Sequence, residues 1–286
     1  MPDGFYFSII KYMFVKAYEL ASKFTLPIIT TIRFYDNTVE GWLWTFIVLN
    51  KDWWLITAAH NLAVMSIFQN HKKEINEYET QQIKEKIKQN PKRVKDFVIS
   101  FNTLWVIPIE QSYIHWDNDI AFIKIDSKFI PNITTFPVFK NPKNIKKWIS
   151  LCKLWFPLHK IEVSYEEWKW FVLWENALPI PRFPIEGIYT RDINSWNAQD
   201  GEKILYLETS SPWLKGQSWG PIFDKDWNIY AIQSKNCTLP LWFTWVIEID
   251  WKKVEENQFI NVGIGVHVET IVNLLIKYKI DFDIID

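Results

Sequence analysis

The chain has 286 residues, 48% of them hydrophobic and 23% charged, which is enough apolar material for one or two ordinary globular cores. Its 32 basic and 33 acidic side chains leave a formal net charge of −1, so charge gives no reason to expect nucleic acid or an anionic membrane as a partner. Two cysteines, Cys152 and Cys237, are too few for a disulfide-stabilised secreted fold, and we expect free thiols in a reducing, cytoplasmic compartment.

The first 24 residues predict an N-terminal amphipathic helix. Apolar side chains recur at helical spacing from Ile9 to Leu20, but lysines and a glutamate interrupt the stretch. It therefore lacks the apolar centre of a secretory signal peptide, and nothing in the chain approaches the roughly 20 apolar residues that span a bilayer. We expect a helix packed on its own domain and no integral membrane segment; a membrane anchor is the alternative.

The chain after this helix has the pattern of an all-β fold. Short runs rich in β-branched and aromatic residues are bounded by turn residues, as at Thr45–Leu49, Ile120–Ile125 and Ile229–Gln233. Many short strands without alternating helices predict a β-sandwich or a β-barrel. Two segments differ: a polar stretch at about 71–96 predicts a helical insertion, and Val268–Tyr278 predicts a closing C-terminal helix.

Three short motifs carry residues suited to acyl transfer. They are Thr57–His60 (Thr-Ala-Ala-His), Asp117–Phe122 around Asp119, and Gly216–Pro221 (Gly-Gln-Ser-Trp-Gly-Pro) around Ser218. A serine hydroxyl is a poor nucleophile until an imidazole accepts its proton, and a carboxylate then holds the imidazole in the right tautomer. Glycine beside the serine lets backbone N–H groups point at the oxyanion that develops.

Each motif alone has an ordinary explanation, because a histidine after a strand is usually structural and Asp-Asn-Asp is usually a turn. His60, Asp119 and Ser218 lie 59 and 99 residues apart, in the order His, Asp, Ser. All three together predict a catalytic triad. An α/β-hydrolase esterase has the order Ser, Asp, His and a helix after its serine, whereas a strand pattern follows Ser218 here.

With these motifs the chain resembles the trypsin-like serine peptidases, especially bacterial ones, whose signatures are Thr-Ala-Ala-His, Asp-Ile-Ala and Gly-X-Ser-Gly-Gly-Pro. The resemblance implies two six-stranded antiparallel β-barrels, with His60 as general base, Asp119 as its orienting carboxylate and Ser218 as nucleophile. It also implies an oxyanion hole made of the Gly216 and Ser218 N–H groups. We divide the chain at residue 140: 25–140 forms the first barrel with its insertion, and 141–286 the second barrel with the C-terminal helix.

The same resemblance implies where the substrate side chain binds. The residue six before the serine lies at the base of the pocket, and here it is Pro212. The walls then include Trp213, Gln233, Ser234 and Lys235, and Ser234 matches the position that hydrogen-bonds the catalytic aspartate. Since Pro212 carries no charge, we do not expect a preference for Lys or Arg. Gln217 replaces the aspartate that pairs with a new N-terminus in zymogen members, which disfavours activation by proteolytic trimming.

The tryptophans are abnormal in number and in place. The chain has 18 Trp and only 8 Gly, whereas a typical chain has about 7% Gly. Several tryptophans stand where the family or a tight turn has glycine; these are Trp42, Trp44, Trp53, Trp155, Trp219, Trp227 and Trp251. We interpret most of them as glycines in the living protein, from a bacterium that reads UGA as glycine. An aromatic-rich, divergent protein is the alternative, and Trp54 is a candidate for a genuine tryptophan.

The sequence therefore predicts a serine endopeptidase that acts on a protein or peptide substrate, without a cofactor. If Trp219 is genuine, the alternative is an inactive barrel that binds peptides or proteins. We expect no metal site, because the other histidines show no zinc-ligand spacing; they are His71, His115, His159 and His267.

Overall fold

In the computed structural model, two curled β-sheets carry most of the chain. The structure describes residues 13–80, 92–100, 108–126, 128, 133–157, 160–167, 170–173, 180–196, 201, 203–212, 214, 217–249 and 252–286. Helices lie at the two ends and in one insertion. The helices are α1 (Val15–Phe24), α2 (Ala63–Thr80) and α3 (Val268–Tyr278). Among the described residues, no helix is both long and apolar enough to cross a membrane.

The first sheet is antiparallel, with six strands in the order β4-β1-β2-β3-β6-β5 and the short β9 paired to the start of β2. Its apolar side chains fill one core, in which Leu26, Phe46 and Leu55 are buried. The strands are β1 (Thr25–Phe34), β2 (Val39–Val48), β3 (Trp54–Ala58), β4 (Val94–Ser100), β5 (Ile109–His115), β6 (Ile120–Ile125) and β9 (Lys160–Ile161).

The second sheet closes on itself. Six antiparallel strands run in the order β14-β8-β12-β13-β16-β15, and β14 also pairs with β15, which completes a ring. Two short parallel strands, β7 and β17, extend it beyond β15. The strands are β7 (Val138–Lys140), β8 (Ser150–Trp155), β12 (Phe183–Trp196), β13 (Lys203–Thr209), β14 (Pro221–Phe223), β15 (Asn228–Ile249), β16 (Lys252–His267) and β17 (Asp283–Ile285).

This architecture confirms the predicted double barrel of six-stranded sheets. A separate hairpin of β10 (Val163–Glu166) and β11 (Trp170–Leu173) accompanies it. The domain division at residue 140 stays a prediction; β7 lies before it yet pairs in the second sheet, and β9 lies after it yet pairs with β2.

The N- and C-terminal helices follow from their apolar spacing, and the C-terminal helix also from its caps. In α1, Ala17, Ala21 and Phe24 are buried at intervals of four and three residues, which gives the helix one buried face. Of the predicted apolar positions, Ala17 is buried but Met13 is exposed, and residues 1–12 lie outside the described part of the chain. Helix α3 has the predicted bounds: the His267 side chain accepts a hydrogen bond from the Glu269 N–H at its start, and Lys279 ends it in a left-handed conformation.

The helical insertion is confirmed, but its predicted bounds of about 71–96 are wrong. Helix α2 starts at Ala63, because buried Val64 and Ile75 give it an apolar face that reaches back to the preceding short turn. At the other end Val94 already begins strand β4, which pairs with β1. Residues 81–91 lie outside the described part of the chain.

Tryptophan is over-represented at backbone positions that favour glycine. Eight non-glycine residues of the described chain have positive φ, and five of them are Trp: Trp53, Trp148, Trp170, Trp219 and Trp227. Since 18 of 286 residues are Trp, an even distribution would place about one or none there. Each such residue costs roughly 1–2 kcal/mol, so the five together cost about as much as a typical domain's whole stability of roughly 5–15 kcal/mol.

Three of these five, Trp53, Trp219 and Trp227, are positions where the motifs predicted glycine. Three other tryptophans at predicted glycine positions lie in strands and have no positive φ; they are Trp42, Trp44 and Trp155. The indole N–H of Trp155 is buried and has no acceptor in the described part of the structure. Trp251 lies outside the described residues. The altered genetic code stays a prediction, and these backbone angles support it independently of the motifs.

Candidate active site

Pairing of β3 with β6 brings His60 and Asp119 together. The register sets Ala58 opposite Ile120, so the residues just beyond these strand ends become neighbours. Ala59 N–H donates to the Asp119 carbonyl oxygen at 3.0 Å, which fixes the two backbones side by side. The two predicted residues, 59 positions apart in sequence, therefore meet at one edge of the first sheet.

The Asp119 carboxylate holds His60 through two hydrogen bonds. The His60 backbone N–H donates to Oδ1 at 2.9 Å, and Nδ1 lies 2.7 Å from Oδ2. Because a carboxylate oxygen accepts, Nδ1 carries the proton, and Nε2 keeps a lone pair for a proton from elsewhere. The His60 side chain is 41% exposed, so the imidazole is partly open to solvent. The Trp44 ring meets the imidazole edge-on, with centroids 5.3 Å apart.

Ser218 lies in a turn between β13 and β14 and is 3% exposed. Trp219 N–H donates to the Gln233 carbonyl, and Gln233 N–H donates to the Gly220 carbonyl, both at 2.9 Å, which ties this turn to β15. Gly220 is required here, because a Cβ would lie 2.0 Å from the Leu154 carbonyl oxygen. Within the described residues, Ser218 makes no hydrogen bond with His60; the complete triad stays a prediction.

Trp219 occupies the space between the serine turn and the His60–Asp119 pair. Its side chain is wholly buried at φ 74°, and its indole N–H donates to Asp119 Oδ2 at 3.3 Å. This is the carboxylate oxygen that also holds His60. The serine turn thus approaches the carboxylate through the neighbour of the predicted nucleophile rather than through Ser218.

The structure describes only some of the predicted pocket residues, and these differ in their burial. Gly216 of the predicted oxyanion hole and Trp213 of the pocket wall lie outside the described residues. Pro212 is half-buried, Lys235 is exposed with its ammonium 4.4 Å from the centre of the Tyr206 ring, and Gln233 is buried. The amide of Gln233 has no partner within the described chain.

Among the described residues no hydrogen bond joins Ser234 to Asp119, so that contact stays a prediction. Ser234 lies at a bulge of β15, where the register with β16 shifts between Gln233 and Lys235. Among the described residues, the donors to the carboxylate are the His60 backbone, the His60 ring and the Trp219 indole. The indole of Trp219 therefore takes the position that the resemblance gives to a serine.

Lys153 is a residue near this site that the sequence reasoning missed. It lies in β8, 1% exposed, and its Nζ donates to the carbonyls of Ser211 at 2.8 Å and Pro212 at 3.2 Å. Burial lowers the pKa of this ammonium to about 7. A signal was present, since a lysine within the apolar strand Leu151–Trp155 is unusual, but only the fold shows that it lies under the pocket residue Pro212.

The other described histidines have structural contacts, and the cysteines are free. His71 Nδ1 accepts from the Val94 N–H, and His115 shares a hydrogen bond with the Tyr278 hydroxyl. His267, the N-cap of α3, is buried, which lowers its pKa to about 4. Burial raises the pKa of the Cys152 thiol to about 12, which makes it a poor nucleophile.

The fold is that of the trypsin-like, chymotrypsin-type peptidases: two barrels with His60 and Asp119 at an edge of the first and the Ser218 turn in the second. No protein-family model and no curated protein matches the chain. Among solved structures it is similar to a serine-to-alanine variant of the HtrA-type protease AlgW with a decapeptide, at TM-score 0.50 and 9% identity, over 93% of this chain and 67% of that chain.

Two further structures are similar at lower scores. The same AlgW variant with a tripeptide has TM-score 0.49 and 12% identity, over 92% of this chain and 62% of that chain. An inactive serine-to-alanine mutant from M. tuberculosis H37Rv has TM-score 0.45 and 11% identity, over 87% of this chain and 85% of that chain. The chain thus spans about two thirds of the AlgW structures.

Proposed function

We propose that the protein is a serine endopeptidase with His60, Asp119 and Ser218 as its catalytic triad. The observation that carries this proposal is the His60–Asp119 pair, with Nδ1 2.7 Å from the carboxylate and the ring open to solvent. A trypsin-like double barrel supports it, since the Ser218 turn approaches the same carboxylate through Trp219. AlgW, bound to peptides in its structures, is a protease of this fold.

The proposed reaction proceeds in two steps. His60 Nε2 takes the proton of the Ser218 hydroxyl as its oxygen attacks the peptide carbonyl, and Asp119 stabilises the imidazolium that forms. The C–N bond then breaks, the imidazolium gives its proton to the leaving amine, and an ester remains on Ser218. Water, deprotonated by His60, hydrolyses the ester and releases the acid. The N–H groups of Gly216 and Ser218 would stabilise both oxyanions.

This mechanism requires glycine at position 219. In the sequence as written, the Trp219 indole fills the space beside the carboxylate, and no hydrogen bond joins Ser218 to His60 in the described residues. Glycine has no side chain to place there and adopts a φ of 74° without strain. We therefore propose that the active protein is bacterial, carries glycine at this and the other positive-φ tryptophans, and works in the cytoplasm on protein or peptide substrates.

The second candidate is an inactive barrel that binds peptides. The observation that favours it is Ser218 itself, which is 3% exposed and has no base within hydrogen-bonding distance among the described residues. If Trp219 is genuine, this arrangement is the native one, and the cleft would bind a peptide without cleaving it.

Peptide hydrolysis by matched variants separates the two candidates. The background is the five-glycine variant, in which Trp53, Trp148, Trp170, Trp219 and Trp227 are each replaced by glycine. We expect this variant to cleave an unfolded protein substrate, and His60→Ala and Ser218→Ala in the same background each to lose nearly all of that activity. A folded five-glycine variant without activity, or activity that survives Ser218→Ala, contradicts the peptidase.

A further inference from the structure

Lys153 is a buried amine for which the described residues supply no counter-ion. Its side chain is 1% exposed, and the two groups that accept its protons are neutral backbone carbonyls. In the described part of the chain, no carboxylate forms an ion pair with it. An ammonium has three protons to donate, so one remains without an acceptor. A buried charge without a counter-ion is costly, and burial accordingly lowers the pKa of Lys153 to about 7; an anion bound beside it would favour the ammonium.

The ammonium lies where three strands of the second barrel meet the segment that leads to Ser218. Strand β8 supplies Lys153, strand β13 ends in Thr209, and Gly263 of β16 is paired with Thr209. A Cβ at Gly263 would lie 2.4 Å from Lys153 Nζ, so glycine is what leaves room for the ammonium there. The carbonyls that hold Nζ belong to Ser211 and Pro212, the latter being the predicted base of the substrate pocket.

Other buried polar side chains at or near the predicted pocket in sequence also lack partners among the described residues. The Ser211 hydroxyl and the side-chain amides of Gln217 and Gln233 are buried and unpaired within the described residues. Gln233 belongs to the predicted pocket wall, while Ser211 and Gln217 flank the pocket in sequence. Buried polar groups are normally hydrogen-bonded, so several unpaired ones at or next to predicted pocket positions point to a polar ligand. Hydroxyl, amide N–H and ammonium groups all donate hydrogen bonds, so together they suit an anion with two acceptor oxygens, such as a carboxylate.

We propose that Lys153 sets the substrate preference, and that the peptidase cleaves after an acidic residue, whose carboxylate binds the Lys153 ammonium at the base of the pocket. This rests on the proposed function for the cleavage step but not for the binding step. Pro212 itself is uncharged, so the ammonium at the base of the pocket comes from Lys153 of β8 rather than from position 212. A positive base repels Lys and Arg side chains, in agreement with the preference excluded from the sequence.

Binding measured without catalysis tests the pocket separately from the triad. We use Ser218→Ala in the five-glycine background and in the sequence as written, with capped peptides that differ only by Glu or Gln at the residue before the cleavage position. Charge-assisted hydrogen bonds lead us to expect tighter binding of the Glu peptide by on the order of 10–100-fold at pH 6. Lys153→Met should remove the preference, and Lys153→Arg, which keeps the charge, should retain part of it.

Two further variants exclude other sources of the preference. Lys225→Met removes an exposed lysine on a distant turn and should change nothing, whereas Lys235→Met tests the exposed lysine of the predicted pocket wall. The proposal is overturned if Glu and Gln peptides bind equally, or if Lys235→Met rather than Lys153→Met removes the preference. Thermal unfolding of each variant confirms that it is folded. An acidic preference in binding, together with no hydrolysis by the folded five-glycine variant that keeps Ser218, would refute the peptidase and keep the pocket.

Discussion

Replacing the positive-φ tryptophans by glycine should stabilise the protein. The five-glycine variant relieves five left-handed residues, at about 1–2 kcal/mol each, for a gain of about 5–10 kcal/mol before packing is counted. Trp148 and Trp170 are 74% and 56% exposed, so they have little packing to lose. Trp219 is wholly buried and, if it belonged there, its loss would cost about 3–5 kcal/mol or more. The expected net change is a gain of about 0–7 kcal/mol.

Denaturant unfolding of the two proteins measures this change directly. Trp54→Gly is the matched control, since Trp54 is buried in β3, stacks on Tyr113 and has no positive φ. We expect that control to lose about 3–5 kcal/mol, as large-to-small core substitutions do. A five-glycine variant that is less stable than the sequence as written, by an amount like that of the control, would refute the proposal that glycine belongs at these positions.

Three other predictions concern the site and the turns. Asp119→Asn in the five-glycine background should keep the fold and lower kcat/KM by roughly 10⁴-fold, because the amide favours the wrong imidazole tautomer, which peptide hydrolysis and circular dichroism check. Burial lowers the pKa of Lys153 to about 7 in the folded protein, against 10.5 when the side chain is exposed, so between these pH values the unfolded chain binds one proton more. The free energy of unfolding should therefore rise with pH in this range, by up to about 1.4 kcal/mol per pH unit. Denaturant titrations from pH 6 to 9 should show this slope and its loss in Lys153→Met, and the same slope in both proteins would contradict the assignment. Trp227→Gly alone should raise the free energy of unfolding by about 1–2 kcal/mol. Asn37→Gly, at a similar φ of 62°, should raise it less because asparagine tolerates that conformation. Equal increases in the two variants would count against strain specific to tryptophan.

The sequence predicted those parts of the site that depend on local motifs and strand pattern. His60 follows an apolar strand and Asp119 precedes another, and pairing of these two strands was enough to bring them together. The C-terminal helix was predicted to the residue, because its apolar spacing and its caps are local signals. The bounds of α2 were not, since burial of Val64 depends on what the helix packs against.

Features that depend on three-dimensional packing could not be predicted. Lys153 lies 59 residues before Pro212, and only closure of the second barrel places its ammonium beneath that carbonyl. In the same way, the hydrogen bond from the Trp219 indole to Asp119 depends on how the two barrels meet. The motif comparison identified Trp219 as misplaced, but the space it fills is a property of the fold.

The central claim is that Ser218 is an activated nucleophile, and the most direct test is to map the residue that a fluorophosphonate probe modifies. The five-glycine variant is incubated with the probe, digested and sequenced by mass spectrometry, with His60→Ala in the same background as the control. We predict a single adduct on Ser218, greatly slowed in the control because the base is lost. An adduct on another residue, or none on a variant shown to be folded, would contradict the claim.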